Sequence, residues 1–148
     1  MFGKLPMPQV LRSVEIHAPP SVVWRWLATQ EALRRWFSPS LEIDLRVGGG
    51  YRLLGPDNKT RICGRVLELK PEESLILSWL EEGGNQVHPM RLVITLAPIQ
   101  AGTRVTLIHD GFDGWPDWQA AVEDYERGAD AHRILEKLAE LVNADAIV

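Results

Sequence analysis

Residues 41–110 read as short alternating apolar segments divided by Gly, Pro, Asn and Asp clusters, with no helix-length periodic run among them. Strands joined by turns this short pair with their sequence neighbours, so the pattern demands an antiparallel meander. Leu41, Ile43 and Leu45 alternate with Glu42 and Asp44, and Gly48-Gly49-Gly50 then turns the chain into a strand over 51–54. Gly55-Pro56-Asp57-Asn58 marks a second turn. A long strand over 60–70 ends at Pro71-Glu72-Glu73, and the next, over 75–80, ends at Gly83-Gly84-Asn85. Segments 90–97 and 103–110 form a last hairpin.

The flanks add helices. Residues 10–17 alternate as one more strand, with Val10, Arg12, Val14 and Ile16 on one face. Pro19-Pro20 stops it and opens a helix, because proline is tolerated in the first helical turn. Val23, Trp26 and Leu27 follow at helical spacing, and a second short helix over about 30–37 closes at Ser38-Pro39. From Pro116 to about Asn143 the Ala, Glu, Leu, Lys and Arg content predicts one long helix. Its apolar face rotates. Trp118, Ala121, Val122, Tyr125, Ala129 and His132 share one stripe, whereas Ile134, Leu135, Leu138, Leu141 and Val142 lie nearly opposite. A straight helix cannot bury both stripes on one sheet. A bend or break near Gly128 resolves this, glycine being weak in a helix interior; the alternative is that the last turns pack on the short helices or on a second subunit. The order is α+β: a strand, two short helices, six more strands and a long helix that must cover the concave face of a curved antiparallel sheet. The 148 residues make one domain over 10–144, with 1–9 as an N-terminal extension and 145–148 as a tail.

Several function classes drop out. Sixteen basic against 20 acidic residues leave a net charge of −4, which disfavours nucleic acid and anionic membrane surfaces as partners. Cys63 is the single cysteine, so neither an internal disulfide nor a thiolate metal cage forms; within a strand it reads as a small packed hydrophobe. The start, MFGKLPMPQV, is broken by Pro6 and Pro8 and lacks a signal-peptide core, and no stretch approaches the ~20 apolar residues of a membrane span. A cytoplasmic location is expected. Gly48-Gly49-Gly50 lacks the Lys and Ser or Thr of a phosphate loop, and neither G-x-S-x-G nor H-E-x-x-H occurs. His17, His88, His109 and His132 have no metal-ligand spacing, so no metal or cofactor is expected.

The segments APPSVVWRWLATQEALRRWF, DLRVGGGYR, GRVLELKPEESLILSW and GTRVTLIHDGF, followed by an acidic amphipathic helix, together resemble the Hsp90 ATPase activator homologue-like family of the START and Bet v 1-like helix-grip superfamily. The resemblance runs from about Val14 to Leu141 and rests on the order and spacing of the motifs. It implies a curved seven-stranded antiparallel sheet, two short helices after the first strand, a long C-terminal helix across the concave face, and a hydrophobic cavity between helix and sheet. Where members often carry Gly-Trp in the final helix, this chain has Gly128-Ala129. The founding eukaryotic member has a separate N-terminal domain for its chaperone contact, so chaperone activation is the weakest of the family's properties to carry over.

Candidate cavity residues follow from alternation and helical spacing. Trp79 shares a face with Leu75 and Leu77; Met90, Leu92 and Ile94 share one with Leu96; Leu107 and His109 share one with Val105. Period two does not say which face is concave. Trp118, Val122, Tyr125, Ala129 and His132 look back from the helix, and Trp36 and Tyr51 complete the set. His109, Tyr125 and His132 are polar groups that would need partners in a dry core, and a few placed polar groups in an apolar pocket orient a ligand. The acidic side chains Glu123, Asp124, Glu126, Asp130, Glu136 and Glu140 read as a solvated helix face, paired with Arg127, Arg133 and Lys137. The leading expectation is a non-enzymatic domain holding a small hydrophobic, lipid-like or aromatic ligand. One alternative is a cyclase-, aromatase- or hydrolase-like enzyme using cavity His and Tyr as acid and base. The other is a protein-interaction module, co-chaperone-like or homodimerising, with Ile134, Leu138 and Leu141 as its partner face.

Overall fold

The computed structural model describes residues 8–147. Residues 1–7 of the expected N-terminal extension, and residue 148 of the expected tail, lie outside the described residues. The strands are β1 (Val10–Ile16), β2 (Glu42–Ile43), β3 (Gly50–Leu54), β4 (Arg61–Lys70), β5 (Ser74–Glu81), β6 (Met90–Ile99) and β7 (Gly102–Asp110). The helices are α1 (Pro20–Trp24), α2 (Gln30–Trp36), α3 (Trp118–His132) and α4 (Ile134–Ile147), with a 3₁₀ turn over Phe112–Gly114 before α3. The strands form one antiparallel sheet in the order β1-β7-β6-β5-β4-β3-β2, the expected meander closed by the first strand.

Register settles which alternating residues share a face, since directly paired residues of antiparallel neighbours point the same way. Val10, His109, Leu92, Leu77 and Val66 run across the sheet as one row of partners. Arg12, Leu107, Ile94 and Leu75 form the next row, and Val14, Val105 and Leu96 a third. Apart from Arg12, Val14 and His109, these side chains are buried, so this is the covered face. The glycine turn before β3 has a steric basis. Gly48 sits at φ +86°, and a Cβ on Gly49 would lie 2.1 Å from the Asp44 carbonyl oxygen.

The C-terminal helix is broken, as the two stripes require, but the break falls at Arg133 rather than near Gly128. Arg133 adopts a left-handed conformation, φ 46° and ψ 51°, and its N–H still donates to the Ala129 carbonyl. Gly128 stays inside α3 with open space around its α-carbon. The break re-aims α4, which packs on β1 and α2, with Leu135, Leu138 and Val142 buried. Ile134 and Leu141 pack against the same core. This stripe is therefore used within the chain.

Two expectations about α3 need correction. Trp118 does not look back at the sheet: it occupies the first helical position and is 40% exposed, while Trp115, just upstream, takes the inner place and points its indole N–H at Met90 Sδ, 3.3 Å away. Glu126 and Asp130 are not simply solvated. Both bind Arg12 of β1, at 2.6 Å and 2.9 Å, because Arg12 stands on the covered face directly under α3. No described helix is long and apolar enough to cross a membrane.

Candidate functional site

A chain of aromatic rings crosses the space between α2, the sheet and α3. Phe37, at the end of α2, meets Trp79 edge-on at 6.4 Å between centroids; Trp79 meets His109 at 4.7 Å; His109 meets Tyr125 at 5.0 Å; and Tyr125 meets Phe112 at 5.4 Å. These are favourable edge-to-face contacts. They converge because Trp79 and His109 share the covered face while Tyr125 stands on the inward stripe of α3. The elbow that delivers Phe37 is set by Thr29, whose hydroxyl caps α2 by accepting from Ala32 N–H, and by the Trp36 indole N–H, which donates to the Trp26 carbonyl at 2.8 Å.

Beside these rings lies a cleft of about 960 Å³. Its floor is the covered face around Leu53, Ile62, Leu92 and Leu107, and its cover is α3 from Asp124 to His132. The mouth is framed by the Ser38–Ser40 connection, the β3–β4 turn from Gly55 to Thr60, and the start of α4. Asp57 holds that turn in shape by accepting from the Thr60 hydroxyl and from the Thr60 and Lys59 N–H groups, which lowers its carboxyl pKa to about 2. The cover is light, since no residue of α3 is fully buried.

Polar groups gather at one end. The Trp79 indole N–H donates to Tyr125 Oη at 2.9 Å, and that hydroxyl donates to Glu81 Oε1 at 2.5 Å. Burial first, then the Glu81 hydrogen bond, pushes the Tyr125 phenol well above its usual range, so it stays a donor. His109 lines the same cleft. Burial lowers its pKa to about 4 against a small opposing pull from Asp110, so the ring is neutral near pH 7. Its Nε2 is sealed from solvent and has no hydrogen-bond partner among the described residues. Such an orphan costs about 1–3 kcal/mol.

Of the expected residues, Trp79, Leu92, Leu107, His109, Tyr125, Ala129 and His132 line the cleft. His132 stands exposed at the rim. Trp36, Met90 and Ile94 are buried in the core without reaching the cleft, Val122 packs against that core, and Trp118 faces solvent. Tyr51 is also core: its hydroxyl donates to the Ser78 carbonyl at 2.5 Å, where Gly64 leaves room, and burial raises its pKa. No hydrogen bond joins any two of His109, Tyr125 and His132 among the described residues. Sequence reasoning missed Glu81, Arg12 and Phe37 as cleft residues. Glu81 continues the alternation of Leu75, Leu77 and Trp79, and its pairing with Ile62 keeps it on the covered face; that signal was available. Phe37 carried none, because its position depends on the elbow. Cys63 is half-buried on β4, and desolvation, reinforced by Glu82, raises its thiol pKa, which favours the protonated form. No three His, Cys, Asp or Glu side chains among the described residues gather to hold a metal ion.

A profile of the activator of Hsp90 ATPase homolog 1-like proteins matches residues 17–143. Among solved structures, protein MLL2253 from Mesorhizobium loti superposes with a TM-score of 0.77 at 22% identity, over 92% of this chain and 97% of that one. Protein CV1439 from Chromobacterium violaceum gives 0.69 at 28% identity, over 91% and 96%. The Aha1 dimer from Colwellia psychrerythraea gives 0.64 at 16% identity, over 84% and 92%. A comparison with curated proteins finds no match.

Proposed function

The chain belongs to the family of activator of Hsp90 ATPase homolog 1-like proteins, and from that premise we propose that it binds a small hydrophobic molecule in the cleft between the sheet and α3. The observation that carries this reading is the cleft itself: about 960 Å³ between a sheet face that presents Leu53, Ile62, Leu92 and Leu107 and a helix that buries no residue fully, with charged and polar side chains around its mouth. A space of this size suits a drug-sized or lipid-like guest. Apolar burial at about 25 cal/mol per Å² supplies micromolar affinity without covalent chemistry. Entry is by the mouth at the α3–α4 junction, where the chain already departs from helical geometry at Arg133.

Binding is favoured over catalysis because the three candidate acid–base groups do not act together. His109 and Tyr125 meet ring to ring rather than through a hydrogen bond, and His132 is at the rim. A cytoplasmic setting is part of the same proposal, in keeping with the free, protonated Cys63. The test is native mass spectrometry of freshly purified protein against the denatured sample. A discrete mass lost on denaturation supports binding; a ligand-free spectrum together with no tryptophan-fluorescence response to any hydrophobic probe rejects it.

Self-association is a second reading, supported by the fold's likeness to a protein described as a dimer. The α4 stripe is not its surface, since that stripe packs inside the chain. Native charge states read over a concentration series test it.

A further inference from the structure

We propose that the guest is a hydrophobic amine, its ammonium group set against the Glu81 carboxylate and its apolar body lying along Phe37, Trp79 and Tyr125. This rests on the binding reading above and narrows it to one ligand class.

The direction of the hydrogen bonds comes first. An indole N–H can only donate, so Tyr125 Oη accepts from Trp79 and passes its own hydrogen to Glu81. The donor chain runs one way and ends on a carboxylate, where a 2.5 Å O–H···O contact is of the charge-assisted kind. Glu81 enters none of the ion pairs among the described residues. It is half-buried, at the aromatic end of the cleft, without a cation.

Nothing nearby supplies that cation. Arg12 lines the cleft but is held by Glu126 and Asp130. His109 is neutral near pH 7, and its sealed Nε2 is a second polar group on this wall that lacks a partner. Across the whole lining, the carboxylates of Asp57, Glu81, Asp124, Asp130 and Glu136 outnumber the cations of Arg12, Arg133 and Lys137. A carboxylate among aromatic rings fits an organic ammonium twice over, by direct ion pairing and by cation–π attraction. The same field repels an anionic guest such as a fatty acid, the more so because charges interact strongly in a partly desolvated cleft.

The experiment titrates the full chain with three probes that share one apolar body: 4-phenylbutylamine, 4-phenylbutanol and 4-phenylbutyrate. Binding is followed by tryptophan fluorescence and confirmed by calorimetry. The amine is expected to bind about tenfold more tightly than the carboxylate, with the alcohol between them. Within Glu81→Gln, the amine is expected to bind no more tightly than the alcohol, the preference among the probes being read inside each protein. Equal affinity for all three probes, a preference for the carboxylate, or an amine preference that survives Glu81→Gln overturns the inference while the cleft remains a binding site. No binding by any of the three probes overturns this inference, and together with a ligand-free native spectrum it overturns the binding reading as well. The wild-type series needs no variant, so it decides the matter even if Glu81→Gln fails to fold.

Discussion

Tyr125 Oη lies 2.5 Å from Glu81 Oε1, so the helix that covers the cleft is fastened to the strand beneath it at the cleft's own polar end. The fastening matters because α3 has no fully buried residue: besides this bond it is held by the Arg12 contacts to Glu126 and Asp130 and by packing on β1 and the preceding 3₁₀ turn. Tyr125→Phe keeps the ring contacts with His109 and Phe112 but leaves the Trp79 N–H and the Glu81 carboxylate without this partner. A loss of about 1–2 kcal/mol is expected. Amide exchange should accelerate through α3 while β5, β6 and β7 keep their protection. Unchanged exchange in α3 would show that the hydrogen bond does not hold the cover.

His109 ties stability to pH. Its folded pKa of about 4 lies below the 6.5 of an ordinary histidine, which applies in the unfolded chain. As pH falls, the unfolded state takes up the proton first. The contribution is thus complete above about pH 6.5 and lost progressively as pH drops towards 4. The size is about 3 kcal/mol. Desolvation is the cause, with Asp110 opposing it. His109→Phe, which retains an aromatic ring between Trp79 and Tyr125, should lose this acid-side slope. It should also gain about 1 kcal/mol at pH 7 by removing the orphaned Nε2. Urea titrations of both proteins at pH 7 and pH 4.5 measure the two effects, and parallel acid losses in wild type and variant would assign the slope to other groups.

Alternation made the sheet legible because the face of a strand residue depends only on its parity and its partner. Leu77, Leu92 and His109 could be grouped strand by strand from the chain, and register then joined them into one row. Contacts between distant elements were harder to read. Arg12 was visible as an inward residue of the first strand, but Glu126 and Asp130 looked like ordinary solvated helix positions, since helical spacing does not reveal that β1 lies beneath them. The break in the C-terminal helix was required by its two opposed stripes, whereas its position was not. Gly128 offered the usual local signal, yet the handover falls where α3 has finished crossing the sheet, at an arginine with no turn preference. The cleft residues that sequence reasoning missed divide the same way: Glu81 follows from parity, and Phe37 depends on how the α1–α2 elbow folds.

That arginine carries strain. A non-glycine residue in the left-handed region costs about 1–2 kcal/mol, and glycine relieves it at the expense of roughly 0.5–1 kcal/mol of added chain entropy. The Arg133 side chain gives little in return, its 3.9 Å approach to Glu136 being exposed. Arg133→Gly should therefore stabilise the protein by about 0.5–1 kcal/mol, or about 1–4 °C in Tm. Calorimetric melting checks it. A lower Tm would mean that the junction needs the arginine for a contact beyond its backbone geometry.

Leu138 separates intrachain packing from self-association as the role of the α4 stripe. It is fully buried within the chain, in a core shared with Leu135 and Val142, and α4 packs on β1 and α2. Leu138→Ala removes buried atoms and leaves a space that these elements fill only in part, so a loss of about 2–5 kcal/mol is expected. Because the contact is internal, that loss should be the same at micromolar and at hundred-fold higher protein concentration. Were the stripe a dimer seal instead, the variant's midpoint would rise with protein concentration by mass action and its native mass would shift from dimer to monomer. Denaturation curves of wild type and Leu138→Ala at both concentrations decide between the two, and a destabilisation by Leu138→Ala that itself changes with protein concentration would overturn the internal assignment.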